Sequence, residues 1–125
     1  MRQAAWPHVA IIGLGNRGKI YARLIKHFGA TVSIGVDPSM YRRQQIAQLF
    51  PDVTLFESWQ ELFRTQDKKP IIDCLVIATP DQERRDLVIA STELGKPMLV
   101  EKPMALTTED CFAIGNAVEE QGVTI

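Results

Sequence analysis

Four apolar residues that run straight into a glycine turn limit what this chain can become. Val9-Ala10-Ile11-Ile12 meets Gly13-Leu14-Gly15-Asn16-Arg17-Gly18, and an amphipathic segment follows. That order reads as buried strand, tight turn and helix, with glycines spaced G-x-G-x-x-G. Gly13 permits the turn, Gly15 lets backbone approach a ligand, and Gly18 lets the helix lie close on the strand. The helix then aims free N–H groups and the positive end of its dipole at one point, which suits an anion such as a pyrophosphate. Asn16 and Arg17 belong to the same seat. Taken alone the motif is weak, because glycine turns are common.

The remaining chain supplies the context. Tyr21, Leu24, Ile25 and Phe28 fall at helical spacing and predict an inward stripe, closed by Gly29. Thr31–Val36 reads as a second strand ending at Asp37-Pro38, and residues 39–49 as a helix with Ile46, Leu49 and Phe50 inside. Val53–Phe56 is a short third strand. Ser58 with Glu61 forms a capping box for a short helix, and Asp67-Lys68-Lys69-Pro70 a polar loop. Ile71–Ala78 is a fourth strand, after which Thr79 as N-cap and Pro80 as first residue open another helix. Met98–Val100 is a fifth strand. Thr107 or Thr108 starts a last helix with the stripe Cys111, Ile114, Gly115 and Val118, and Val123-Thr124-Ile125 begins a sixth strand. Strand and helix alternate with short links, so the fold class is α/β, a doubly wound parallel sheet in the order 3-2-1-4-5-6.

Composition narrows the class of function. The 125 residues suffice for one domain with a core, and 46% apolar with 23% charged residues is ordinary for a soluble globular chain. A net charge of −1 offers no basic surface for nucleic acid or an anionic membrane. No apolar run approaches the roughly 20 residues of a membrane span, and residues 1–7 read as a loose leader without the apolar centre of a signal peptide. Cys74 and Cys111 read as buried thiols in a reducing compartment, with no metal-ligand spacing. A cytoplasmic enzyme or binding protein is expected.

In the predicted strand order a crevice opens between strands one and four, outside their carboxyl ends. Three stretches should meet there: Gly13–Gly18, Ala78-Thr79-Pro80, and Glu101-Lys102-Pro103. Asp37 lies 19 residues beyond Gly18, where a carboxylate accepts both ribose hydroxyls of an adenosine and repels a 2′-phosphate. NAD is therefore expected over NADP. Arg42 could stack on adenine or reach a phosphate, whereas Arg43 is read as a solvated helix face. Lys102 could polarise a substrate hydroxyl or transfer its proton, if burial lowers its pKa. The alternative is a solvated Glu101-Lys102 pair at a strand end. His8, His27, Trp6 and Trp59 are read as structural or surface residues, and Glu83-Arg84-Arg85-Asp86 as a charged helix face.

These features together resemble the glucose–fructose oxidoreductase/inositol dehydrogenase (Gfo/Idh/MocA) family. The glycine turn, Thr79-Pro80, and Gly95-Lys96-Pro97 through Val100-Glu101-Lys102-Pro103 with Thr107 carry the resemblance, which extends from about Val9 to Ile125. It implies a Rossmann domain over residues 1–125 and NAD(P)-dependent oxidation of sugars, inositols and related polyols. It also implies a larger C-terminal domain for substrate and oligomer contacts, absent from this chain. Lys102 matches the family lysine at the reacting hydroxyl, Glu101 the glutamate near the nicotinamide ribose, and Thr79 and Pro80 residues lining the cofactor. Arg84 departs from the pattern, since a histidine often stands there. The expectation is an N-terminal domain that is inactive alone and self-associates through uncovered apolar surface. A stand-alone NAD-binding module or redox sensor is the alternative. A methyltransferase is a weaker third reading, because it leaves Glu101-Lys102-Pro103 without a role.

Overall fold

A computed structural model describes residues 7–65 and 71–125. Most of the leader, Trp6 and the polar loop at 67–70 lie outside the described residues. The elements run β1 (His8–Ile12), α1 (Asn16–His27), β2 (Thr31–Val36), α2 (Met40–Leu49), β3 (Thr54–Phe56), α3 (Trp59–Arg64), β4 (Cys74–Ile77), α4 (Asp81–Thr92), β5 (Met98–Val100) and α5 (Thr108–Gln121). Five parallel strands pair in the order β3-β2-β1-β4-β5. The doubly wound sheet read from the βα alternation is therefore present, with α1 and α2 on one face and α3, α4 and α5 on the other.

Strand β1 is central and apolar because both of its faces are covered. Ala10 and Ile12 join the core made with Leu62, Leu87, Val88 and Ile114. Val9 and Ile11 turn the other way, to Ala22 of α1 and Ile46 of α2. Local capping sets several helix starts: the hydroxyls of Ser39, Ser58 and Thr107 accept from the backbone N–H groups of Arg42, Glu61 and Asp110. The Glu61 carboxylate, however, accepts from Glu57 N–H, one residue before the cap that a full capping box would serve. Among the described residues no helix is long and apolar enough to cross a membrane.

Several expectations are corrected. Residues 123–125 form no sixth strand: Met98 N–H donates to the Thr124 carbonyl at 2.9 Å, without a strand ladder. Strand β4 begins at Cys74, and Ile71 is exposed. In α5, Gly115 faces open space while Ile114 is buried. The stripe on α1 is only half covered. The buried residues of the helix are Gly18 and Ala22, outside that stripe, whereas Leu24 is 48% and Phe28 62% exposed. The reason is distance. The helix sits so near the strand that only Gly and Ala fit at the contact. Its larger side chains flank an open apolar groove with Val9, Val76 and Leu99, over the part of the sheet that neither α1 nor α2 covers.

A Cβ added at Gly18 would lie 1.9 Å from the Gly13 carbonyl oxygen, whereas at Gly115, inside α5, it would meet nothing within 4 Å. Gly18→Ala is expected to destabilise by more than about 2 kcal/mol through overpacking. Gly115→Ala should stabilise by about 0.5–1 kcal/mol through the lower entropy of the unfolded chain. Urea midpoints at equal slope measure both, and an unchanged midpoint for Gly18→Ala would show that α1 is not seated against the turn.

Candidate cofactor site

The carboxyl ends of β1 and β4 meet at the glycine turn. Gly13 takes φ +96° and donates its N–H to Val36 O at 2.8 Å. An added Cβ there would stand 2.6 Å from the Ala78 carbonyl group, so the two strand exits touch. Gly15 is the N-cap of α1, no side chain caps the helix, and its first turn holds no acid. A Cβ at Gly15 would find only the Arg42 guanidinium, 3.9 Å away. The helix start thus presents orphan N–H groups beside open space, the arrangement that holds an anion. Asn16 and Arg17 are exposed on that turn, and Gly18 lies buried beneath it.

Asp37 ends β2 and is 3% exposed. Its Oδ2 accepts from Leu14 N–H at 2.9 Å and its Oδ1 from Ser39 N–H at 2.8 Å. The carboxylate therefore buckles the glycine turn to the start of α2, a duty its sequence position did not disclose. Each oxygen keeps a further lone pair for a ligand. The half-exposed Arg42 lies 3.7 Å from Oδ2. Arg43 is corrected from a solvated residue to a largely buried one. It donates to the Asp37 carbonyl at 2.7 Å and lies 3.7 Å from the Glu57 carboxylate.

Two adjoining hollows of about 210 and 300 Å³ share Gly13, Asp37, Arg42, Thr79 and Pro80, and so form one trough. Their size falls in the range of small-ligand pockets once joined. One end is bounded by Ser58 and Trp59, the other by Arg17 and Arg84. Trp59 was read as packing or surface. Its ring does pack edge-on against Phe63, at 5.8 Å between centroids, yet it also lines the trough. Thr79 is corrected too. Pro80, which is exposed, is the N-cap of α4, and Thr79 makes no cap bond. The Thr79 hydroxyl is buried without any hydrogen-bond partner, while its carbonyl accepts from Arg84 Nε at 3.0 Å. An orphan hydroxyl on the trough wall is what a bound polar ligand would satisfy. Open space at Gly15, an uncapped helix and this hydroxyl fit a dinucleotide.

Glu101, matched by the resemblance to a glutamate near the nicotinamide ribose, accepts at its carboxylate a short hydrogen bond from the Tyr21 hydroxyl, with Arg17 Nε at 3.7 Å. The Tyr21 bond, above all, holds the Glu101 carboxyl below its usual range against desolvation, aided by Arg17, Arg84 and the Lys102 backbone N–H. The same bond, with burial, raises the Tyr21 phenol. Tyr21 was read only as part of an apolar stripe. Lys102 is exposed, so the burial that its proton-transfer reading called on is not found, and it lines neither hollow. The peptide between Lys102 and Pro103 is cis. Arg84 is corrected from a charged face to a buried residue, whereas Arg85 pairs with Asp86 and with Asp110 of α5. The histidines stand away from the trough: His8 N–H and ring both meet Asp73, and His27 packs edge-on against Phe28. Both cysteines are free and half-buried, and burial pushes the Cys74 thiol up.

Known proteins share this architecture. The profile of the Gfo/Idh/MocA group, described as an oxidoreductase family with an NAD-binding Rossmann fold, matches residues 8–125. The scyllo-inositol 2-dehydrogenase (NAD(+)) of Bacillus subtilis (strain 168) is 34% identical over 116 residues, covering 91% of this chain and 33% of that protein. The inositol 2-dehydrogenase of Rhodococcus erythropolis is 32% identical over 111 residues, covering 87% of this chain and 31% of that protein. The chain thus spans about a third of the length of these curated relatives. Among solved structures, the WlbA dehydrogenase from Bordetella pertussis, in complex with NADH and UDP-GlcNAcA, superposes with a TM-score of 0.83. At 24% identity it covers 95% of this chain and 36% of that one, and it shares the fold.

The Tyr21–Glu101 bond has a pH signature. A lowered carboxyl contributes stability above the ordinary Glu range and loses it as pH falls through the lowered value. A raised phenol contributes below the ordinary Tyr range and loses it as pH rises through the raised value. The stability difference between the native chain and Tyr21→Phe should therefore be flat between those ranges and shrink beyond both. In the variant, the Glu101 carboxyl titration followed by NMR should move up. A Glu101 titration unmoved by the substitution would show that the bond is not formed.

Proposed function

The chain belongs to the Gfo/Idh/MocA oxidoreductase family, and from that premise we propose that it is the nucleotide-binding domain of an NAD-dependent oxidoreductase acting on a sugar- or polyol-like hydroxyl. The observation that carries the reading is the trough itself. It joins an uncapped helix start, a buried carboxylate at Asp37 and an unpartnered hydroxyl at Thr79. Asp37 would take the adenosine ribose and Arg42 the adenine or a phosphate. The N–H groups at Gly15, Asn16 and Arg17 would take the pyrophosphate, and Thr79 and Pro80 would border the nicotinamide. Bound NAD supplies the hydride acceptor or donor. Glu101, tied to Tyr21, would face the nicotinamide ribose, and Lys102 would polarise the substrate hydroxyl or hold its proton. Further substrate contacts would come from a second domain, in keeping with relatives of which this chain spans about a third.

The cofactor preference follows from charge. The Asp37 carboxylate disfavours a 2′-phosphate, and Arg42, close to that carboxylate, has its charge offset. In calorimetry NADH is expected to bind tighter than NADPH. Asp37→Ala should weaken NADH about tenfold or more, as loss of charge-assisted hydrogen bonds does. It should also shrink the NADH-to-NADPH ratio. The ratio is the readout, because the variant also strands Leu14 N–H and Ser39 N–H and weakens the loop for both ligands. Tighter binding of NADPH by the native chain would overturn the preference.

One observation favours a second reading, a nucleotide-binding module or redox sensor without its own catalysis: Lys102 is exposed and off the trough wall. Under the first reading, further polypeptide or a second copy covers the apolar groove beside Leu24, Phe28 and Leu99 and completes the substrate site. The purified 125-residue chain is then expected to show no steady polyol turnover and to self-associate in light scattering. Steady turnover would show that the domain is catalytically sufficient, and a strict monomer at high concentration would count against the exposed groove.

A further inference from the structure

We propose that Arg84 is a positioning residue that sets the nicotinamide-side wall of the trough by locking the exits of β4 and β5 together. Its side chain is only 6% exposed. Nε donates to the Thr79 carbonyl at 3.0 Å. One terminal nitrogen donates to the Glu101 carbonyl at 2.8 Å and, by a shorter contact, to the Pro103 carbonyl. Asp81, one turn earlier on α4, balances the charge at 3.3 Å.

The need for such a group follows from the fold. Chain leaving a parallel sheet loses its ladder partners, so the carbonyls just past β4 and β5 require donors from elsewhere. Residues 79, 101 and 103 all lie in that position. A guanidinium is a rigid planar fork with donors in several fixed directions, whereas an ammonium is a compact point on a flexible stem. Arg84 therefore reaches both exits at once, beside the backbone bond from Glu101 N–H to the Ile77 carbonyl. The permanent charge is buried at a cost, which the carbonyl dipoles and Asp81 offset.

What the clamp holds is specific. Thr79 is fixed through its own carbonyl, with its hydroxyl left unpartnered on the trough wall. Glu101 is fixed so that its carboxylate meets Tyr21. Lys102 stands between two clamped carbonyls, so the base of its exposed side chain is placed although the ammonium is not. Arg84 borders one end of the trough, yet it is nearly buried and its Nε and one terminal nitrogen donate to backbone, which makes it a support for the groups beside it. The role follows from the reading of the trough as a dinucleotide site.

The test compares two ligands on the native chain, Arg84→Lys and Arg84→Gln. ADP occupies only the adenine and pyrophosphate part, whereas NADH also needs the nicotinamide wall. In calorimetry both variants should bind ADP within about twofold of the native chain and NADH about tenfold more weakly, the scale of one or two lost hydrogen bonds. Equal losses for ADP and NADH, or no loss for either, would overturn the assignment. Should the variants fail to fold, the native chain still answers. The Arg84 Nε–H should exchange slowly and show through-bond coupling to the Thr79 carbonyl, and rapid exchange overturns the clamp. A native chain that binds neither ligand overturns the dinucleotide reading instead, with the Nε–H signal deciding the clamp separately.

Discussion

Everything at the carboxyl edge of the sheet depends on how closely α1 lies against β1. The missing side chain at Gly18 lets the helix settle where any Cβ would lie 1.9 Å from the Gly13 carbonyl oxygen. That approach has three consequences. The first turn of α1 opens beside the trough, with no side chain spent on capping it. Tyr21, one turn further on, comes within reach of Glu101 beyond β5. The bulky residues of the same helix are left flanking a groove that no second helix covers. One steric permission thus shapes both the polar site and the open apolar groove of about 460 Å³.

Around this seat, buried charge replaces regular hydrogen bonding. Strand exits release backbone groups that must find partners once water is excluded. Asp37 serves two N–H groups, one in the glycine turn and one at the start of α2. Arg84 serves three carbonyls across two exits. Arg43 takes the carbonyl of Asp37 itself. Asp37 and Arg84 thereby tie together loops distant in sequence, at the edge of the sheet where the site lies. Charged groups can do this more tightly than neutral ones because their hydrogen bonds are shorter and stronger. The Thr79 hydroxyl stands out against that background, for it alone among the buried side-chain polar atoms described lacks a partner.

Much of this was legible from local pattern. The alternation of apolar runs with helical stripes named the strands, and the caps at Ser58 and Thr107 were readable because a cap needs only its next three residues. Topology placed Gly13, Gly15 and Thr79 at one crevice and spacing from Gly18 added Asp37, and these four line one hollow, whereas Glu101-Lys102-Pro103, also placed there, does not line it. Residues with two plausible readings went the other way. Arg43 and Arg84 sit in charged stretches that resemble solvated helix faces, and nothing local says that either folds inward. Tyr21 sits in an apolar stripe, so its hydroxyl was overlooked. Trp59 has one face in the core cluster and one on the trough, which no periodicity separates.

The amino-acid sequence by itself determined the parallel α/β architecture, the phosphate-ready turn and the membership that Glu101-Lys102-Pro103 signals. These depend on short-range steric and periodic rules, which act within a few residues. Only the tertiary structure decided which polar groups the site consumes and which it leaves free. Asp37 and Glu101 spend part of their capacity inside the protein, Arg84 spends its fork on backbone, and Lys102 remains in solvent. That division is set by distances between segments far apart in the chain, as between Tyr21 and Glu101, 80 residues apart. No local rule carries that information, because it arises only when helix and sheet have packed.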